Sequence, residues 1–266
     1  MKYSVGYAAS LGERDIISAM EFALGSGFEA VELNMNMPCF FPERYDQEDI
    51  NAIKKFKNEH GIKLTMHAPE DISLVCLHEG IRLAGIQRLQ EIIGFAYEIG
   101  VSCITVHTNS TPYFTLVEGQ GYVQDEYADK AVENLNDSLK RILDYRDENA
   151  DGVEICIENS GYFPKYIQEA LKKIMDVRRL NLTWDIGHSY LNKYGEVEFF
   201  KGNLESIRVS HIHDYNEQGD HKVIGSGNVK FKEHMDIMGN EDVVYVIEVR
   251  PREEAAKSLE ALKNII

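Results

Sequence analysis

Six short runs rich in β-branched residues end on side chains that could ligate a metal or carry a proton. They read Lys63-Leu64-Thr65-Met66-His67, Cys103-Ile104-Thr105-Val106-His107, Ile155-Cys156-Ile157-Glu158, Leu182-Thr183-Trp184-Asp185, Val209-Ser210-His211 and Val246-Ile247-Glu248. Side chains alternate along a strand, so Leu64/Met66, Ile104/Val106, Ile155/Ile157 and Leu182/Trp184 share one face. Thr65/His67, Thr105/His107, Cys156/Glu158 and Thr183/Asp185 share the other, and all six runs deliver a His or a carboxylate to the same end. Alone, a strand-end His is usually hydrogen-bonded scaffolding, and a strand-end Asp or Glu is usually a helix cap or half of an ion pair. Several carboxylates converging in one place repel unless a cation neutralises them. Imidazole and carboxylate donors without thiolate predict a divalent ion, Mn²⁺ or Zn²⁺ first, with Co²⁺ or Mg²⁺ as alternatives.

The elements that must position these residues alternate from end to end. Strands are predicted at Tyr3–Ala8, Ala30–Asn34, Lys63–His67, Cys103–His107, Val153–Asn159, Leu182–Asp185, Ile207–His213 and Val243–Val249. Helical patterns fall at Arg14–Leu24, Asp49–His60, Ile81–Ile99, Asp125–Glu148, Lys165–Val177 and Glu253–Ile265, with shorter ones near Val197–Phe200 and Lys230–Met238. Gly27, Gly61, Gly100 and Gly152 sit where helix C-caps are expected. Eight βα units in 266 residues predict one (β/α)8 TIM barrel over residues 1–266, since such barrels run to about 250 residues. A doubly wound open sheet is the alternative. In a barrel, the shared end of the six runs is the C-terminal mouth, where active sites sit.

Composition narrows the function classes. The formal charge is −16, from 44 acidic and 28 basic residues, a field that repels phosphate backbones and argues against a nucleic-acid partner. No apolar leader and no run of about 18 apolar residues is present, so a cytoplasmic protein with no membrane association is expected. Cys39, Cys76, Cys103 and Cys156 are widely spaced and contain no CxxC pair, as in reduced core thiols.

At the polar strand ends the chain resembles the xylose isomerase-like TIM-barrel superfamily, which holds sugar phosphate isomerases and epimerases, inosose dehydratases and endonuclease IV-like enzymes. The resemblance spans nearly the whole chain. It is carried by His67-Ala68-Pro69, Ile157-Glu158-Asn159, Trp184-Asp185-Ile186-Gly187-His188 and the segment from His211-Ile212-His213-Asp214 through Asp220-His221 to Gly225-Ser226-Gly227-Asn228. The epimerase pattern implies that Glu158, Asp185, His211 and Glu248 ligate one ion, with Glu158 and Glu248 as the proton-transferring pair and His188 beside the substrate. It implies an enediolate mechanism on a small sugar, sugar phosphate or polyol. Two positions depart from the ketose 3-epimerases: Pro164 stands where they have a second acid, and Glu217 where they have an Arg. The nuclease pattern implies instead three zinc ions and an abasic-site phosphodiesterase. Eight of its nine ligands match, at His67, His107, Glu158, Asp185, His188, His211, His221 and Glu248. The ninth falls on Gly219, and Tyr215-Asn216-Glu217-Gln218 replaces the basic phosphate-gripping run. His67, His107, His188 and His221 are therefore candidates for additional metal or for substrate.

Glu32 and Asn159 are expected at the substrate pocket, Glu32 as a wall or a hydrogen-bond anchor. Pro38-Cys39-Phe40-Phe41-Pro42 and Pro112-Tyr113-Phe114 read as loops over the mouth: either an apolar lid or packing surfaces, including against a second copy in a homo-oligomer. Gly225-Ser226-Gly227-Asn228 reads as a phosphate cradle or as a turn into the next helix.

Overall fold

A computed structural model describes residues 3–191, 195–239 and 242–266, without the side chain of Leu191. Eight parallel strands close into a barrel. They are β1 (Ser4–Ala9), β2 (Ala30–Asn34), β3 (Lys63–His67), β4 (Cys103–His107), β7 (Glu154–Glu158), β8 (Asn181–Asp185), β9 (Ile207–Ile212) and β12 (Val244–Ile247), in that order around the ring. Two hairpins stand outside the ring: β5 (Tyr113–Leu116) with β6 (Gly119–Tyr122), and β10 (Asp214–Asn216) with β11 (Gly219–Lys222). The sequence predicts no strands there, because segments of three or four residues are too short to display an alternation. The helix expected over Asp125–Glu148 is broken at Tyr127 into α4 (Val123–Glu126) and α5 (Ala128–Asn149), since Tyr127 leaves helical geometry at φ −124°, ψ 40°.

The remaining helices are α1 (Ile16–Ser26), α2 (Gln47–His60), α3 (Glu79–Ile99), α6 (Lys165–Met175), α7 (Ile186–Leu191), α8 (Val197–Lys201), α9 (Phe231–Met238) and α10 (Arg252–Lys263). Their ends follow local chemistry. Asp15 and Asp46 cap α1 and α2 through capping boxes, and Gly27 ends α1 at φ 83°, where a Cβ would be strained. No described helix is long and apolar enough to cross a membrane.

The strand faces divide as alternation requires. Leu64, Met66, Ile104, Val106, Ile155, Ile157, Leu182 and Trp184 pack outward into the layer beneath the helices, and Trp184 stacks on Phe200 at 5.3 Å. Inside, Ala8, Ala30, Cys103, Cys156, Val209, Val244 and Val246 form an apolar plug. Above it, Thr105 and Thr183 share a hydrogen bond of 2.8 Å, and Thr65 donates to Glu32 at 3.4 Å. This polar layer carries the strand-end donors, and register decides which of them are neighbours: His107 pairs with Glu158, and Asp185 with His211.

Candidate metal centre

Glu158 is the hub. Its Oε1 lies 2.8 Å from His211 Nδ1, and its Oε2 lies 2.7 Å from His107 Nε2 and 3.3 Å from His67 Nε2. Glu248 Oε2 approaches His211 Nδ1 at 3.4 Å, and Asp185 Oδ2 approaches His188 Nδ1 at 3.3 Å. Donor atoms of Glu158, Asp185, His211 and Glu248 all fall within 4.8 Å of one another, as do those of His67, His107 and Glu158, and those of His188, His213 and His221. The open cavity beside them, about 490 Å³, is lined by His67, His107, Glu158, His188, His221 and Glu248 together with Asn34, Glu70 and Arg250.

Burial makes this cluster electrostatically demanding. Desolvation would neutralise Glu158, but His211 and His107 outweigh it and hold the carboxyl well below the usual range. For Glu248 the same contest, won by His211 and His221, ends at about 2. Asp185 is likewise pulled down by His188 and His213. The histidines move the other way. Burial disfavours their charged forms, yet Glu158 raises His67 to about 9, and Glu32 and Glu158 raise His211 well above its usual value. Protons on the imidazoles thus balance the carboxylates among the protein's own groups.

The donor set fits a divalent cation. Three buried carboxylates and an imidazole converge, with no thiolate among them. His188 Nδ1 is a buried nitrogen with no aligned hydrogen-bond partner. Two histidines also have their outer nitrogens occupied. His67 Nδ1 donates to the Ala68 carbonyl at 2.8 Å, and His221 Nδ1 to the Glu248 carbonyl at 3.0 Å, so that in the neutral ring each Nε2 is the nitrogen left to bind an ion.

The other residues singled out in the sequence divide between floor, wall and scaffold. Glu32 lies beneath the centre, 1% exposed, with Oε1 2.9 Å from His211 Nε2. Asn159 is wholly buried and lies behind the site. Its amide donates to the Asp185 carbonyl and to Glu196, and its oxygen accepts the Asp185 N–H at 2.8 Å. Adjacent residues of a strand face opposite ways, so Asn159 turns from the lumen into which Glu158 points. Pro164 caps α6, and Glu217 sits exposed at the tip of the β10–β11 hairpin. Gly225-Ser226-Gly227-Asn228 wraps an internal anion: Gly225 and Gly227 N–H donate to Asp214 Oδ2 at 2.9 and 2.8 Å. Phe40 is buried, whereas Phe114, Leu116 and Val117 of the β5–β6 hairpin are exposed.

Two residues of the site were given no role from sequence. His213, fully buried, places Nε2 3.1 Å from Asp185 Oδ2, and its spacing of two from His211 was the signal that it faces inward. Arg250 bonds Glu248 Oε1 at 2.9 Å and Ser10 at 3.0 Å, and its spacing of two from Glu248 is the same signal.

Comparison with known proteins agrees with this architecture. An uncharacterized protein of Methanocaldococcus jannaschii, MJ1614, is 27% identical over 214 residues, covering 78% of this chain and 79% of its own length. Among solved structures, a D-tagatose 3-epimerase-like protein superposes with a TM-score of 0.79 at 23% identity over 98% of this chain and 96% of its own. The IolI protein with a bound zinc atom superposes at 0.72 with 16% identity, over 98% and 96%. Endonuclease IV from Thermus thermophilus superposes at 0.72 with 17% identity, over 98% of each chain. At these identities the superpositions establish the fold. The family model described as a xylose isomerase-like TIM barrel matches residues 20–265, and the chain belongs to that family.

Proposed function

We propose that this protein is a metal-dependent isomerase or epimerase of a small sugar, sugar phosphate or related polyol. One observation carries the reading: the ionised carboxylates of Glu158 and Glu248 meet at His211 beside a single open cavity. Glu158, Asp185, His211 and Glu248 would hold the ion, with Mn²⁺ or Zn²⁺ suiting the donors best and Co²⁺ or Mg²⁺ also compatible. When bound, the ion supplies charge stabilisation for the oxygen of a carbonyl whose neighbouring carbon is losing a proton.

The chain's own groups perform the proton transfers. Both glutamates are held in the carboxylate form, so either is ready to act as base on the carbon α to the carbonyl. The carboxylate that takes the proton becomes the acid that returns it. Return to the adjacent carbon, with a hydroxyl proton passing to the former carbonyl oxygen, isomerises the sugar; inversion instead requires the other glutamate first to take a proton from solvent and then to deliver it to the opposite face. His188 and Arg250 flank the cavity, where they can orient substrate hydroxyls. Pro164 and Glu217 remove the acid and the Arg of the ketose 3-epimerase pattern, which favours a different sugar from theirs.

One observation favours a second reading, an endonuclease IV-like abasic-site phosphodiesterase with a multinuclear zinc site. His67, His107 and Glu158 form a further donor group that shares Glu158 with the first. The net charge of −16 and the exposed Glu217 at the mouth weigh against gripping a DNA backbone. Metal analysis of the purified protein, with assays of solvent-deuterium uptake into ketoses and of abasic-duplex cleavage, separates the two. Deuterium uptake in the Mn²⁺- or Zn²⁺-loaded enzyme supports the isomerase. Three ions per chain with strand cleavage overturns it.

A further inference from the structure

His188, His213 and His221 bring ring nitrogens close enough to suggest one more ion. Their hydrogen bonds argue otherwise for His213. A neutral imidazole has one N–H and one lone pair, and the partner of one nitrogen fixes the role of the other. His213 Nδ1 lies 3.0 Å from the backbone N–H of His221, which can only donate, so Nδ1 must accept. The ring proton then sits on Nε2, which faces Asp185 Oδ2 at 3.1 Å. The alternative tautomer would send Nδ1–H to the more distant Asp214 carbonyl, at 3.3 Å, and would set it against the His221 amide donor. Ring geometry points the same way. His213 and His221 stack at 4.1 Å with 28° between their planes, and in-plane lone pairs of nearly parallel rings do not converge on one ion.

The surroundings are built for this arrangement. His221 adopts φ 50°, a left-handed conformation unusual for a residue with a side chain, and its N–H points at His213. Gly187 at the start of α7 leaves room for the ring, because a Cβ there would overlap His213. Asp185 thus has each oxygen held: Oδ1 accepts the His188 N–H at 2.7 Å, and Oδ2 faces His213.

We propose that His213 is a positioning residue that forms no bond to metal. It donates Nε2–H to Asp185 and accepts the His221 amide, fixing a metal-binding carboxylate and the hairpin that carries His221 in one relation. The inference rests on the proposed reading of Asp185 as a ligand, and it removes His213 from the nitrogens of the His188–His213–His221 group that could hold a further ion.

The test measures Zn²⁺ and Mn²⁺ affinity by calorimetry and ion count by elemental analysis, in wild type, His213→Asn, His213→Gln and Gly187→Ala. Asn keeps an acceptor near Nδ1 but loses the donor to Asp185, and Gln keeps a donor near Nε2. His213→Asn should weaken metal binding about 10–100-fold, as loss of a partner to a metal ligand does, while His213→Gln stays within about threefold of wild type. Gly187→Ala removes no donor and should weaken binding in the same direction as His213→Asn. All three should keep the wild-type number of ions. A loss of one ion in both His213 variants, or wild-type affinity in His213→Asn, would overturn the proposal. Ring ¹⁵N NMR of the wild type reads the tautomer directly, and a metal-shifted Nε2 on Zn²⁺ addition would also overturn it. If the wild type binds neither metal, the proposed function fails; the tautomer spectrum still decides the role of His213.

Discussion

Glu32 Oε1 lies 2.9 Å from His211 Nε2, with the two side chains 1% and 0% exposed. The contact is off the N–H direction, and neither atom has an aligned hydrogen-bond partner, so the pair is held by charge more than by geometry. Its effect is directional. With its Nε2 proton drawn toward Glu32, His211 presents Nδ1 to Glu158 and Glu248, and a cation would take the place of the Nδ1 proton. Replacing Glu32 by Gln keeps the shape and removes the charge. The expected outcome is a metal affinity lowered by about 10–100-fold with unchanged ion number, read by competition with a chromophoric chelator. Affinity equal to wild type would remove Glu32 from the metal site.

The histidine protons give the centre a pH signature. Folded His67 titrates near 9, above the roughly 6.5 of an unfolded imidazole. A folded pKa raised in this way contributes stability that is complete below about 6.5 and is lost as pH rises through about 9. Metal-stripped protein should therefore melt at progressively lower temperature across that window. Loading runs in the opposite sense, because an ion competing with a ring proton gains about tenfold in affinity per pH unit for each proton released. The gap in melting temperature between Zn²⁺-loaded and chelator-treated protein should widen from pH 6.5 to 9. A constant gap would mean that this imidazole does not exchange its proton for metal.

Asp214 offers a stability test away from the reacting atoms. Its carboxylate, 1% exposed, accepts the N–H groups of Tyr215, Gly225, Gly227 and Val229. The glycines are there for room: a Cβ on Gly227 would overlap the Tyr215 carbonyl and Asp214 itself, and Gly225 sits at φ 89°. Asp214→Ala leaves four donors without their acceptor and should destabilise by about 1–3 kcal/mol or more, since each buried donor left unpaired carries a penalty of that order. At about 2–4 °C per kcal/mol, calorimetry should record a drop of several degrees. No drop would mean that water replaces the carboxylate at no loss.

What the sequence discloses follows from periodicity. Alternation along β3, β4, β7 and β8 is enough to send His67, His107, Glu158 and Asp185 inward, and parallel register then sets His107 beside Glu158 and Asp185 beside His211. The same rule separates Asn159 from Glu158, because adjacent residues face apart, so its backbone clamp on Asp185 is readable in hindsight. The roles of His213 and Gly225-Ser226-Gly227-Asn228 were not legible. Each depends on a partner reached by the fold of the β10–β11 hairpin: the His221 amide for one, and the Asp214 carboxylate for the other. A glycine-rich turn that cradles an internal carboxylate looks, in sequence, like one that cradles a phosphate. Hairpins of three or four residues per strand carry no alternation by which to find them.

The proposed chemistry makes its sharpest demand on Glu158 and Glu248. Each is buried, ionised and within 3.4 Å of His211, so each is positioned both to hold an ion and to move a proton. Gln in place of either keeps the volume and removes the charge and the basic oxygen. Removal of a general base alone lowers rates by about 10²–10⁴-fold, and loss of a ligand charge adds to that. Glu158→Gln should be the more severe, because Glu158 also touches His67 and His107, and its loss disturbs both donor groups at once. Glu248→Gln leaves the contacts of Glu158 with His67 and His107 intact and should be the milder of the two. Solvent-deuterium exchange into the sugar and turnover should fall together in both variants, while far-ultraviolet circular dichroism stays that of the wild type. Retained exchange with lost turnover in Glu248→Gln would assign proton abstraction to Glu158 and return to Glu248. Substantial turnover in either variant would end the two-glutamate mechanism.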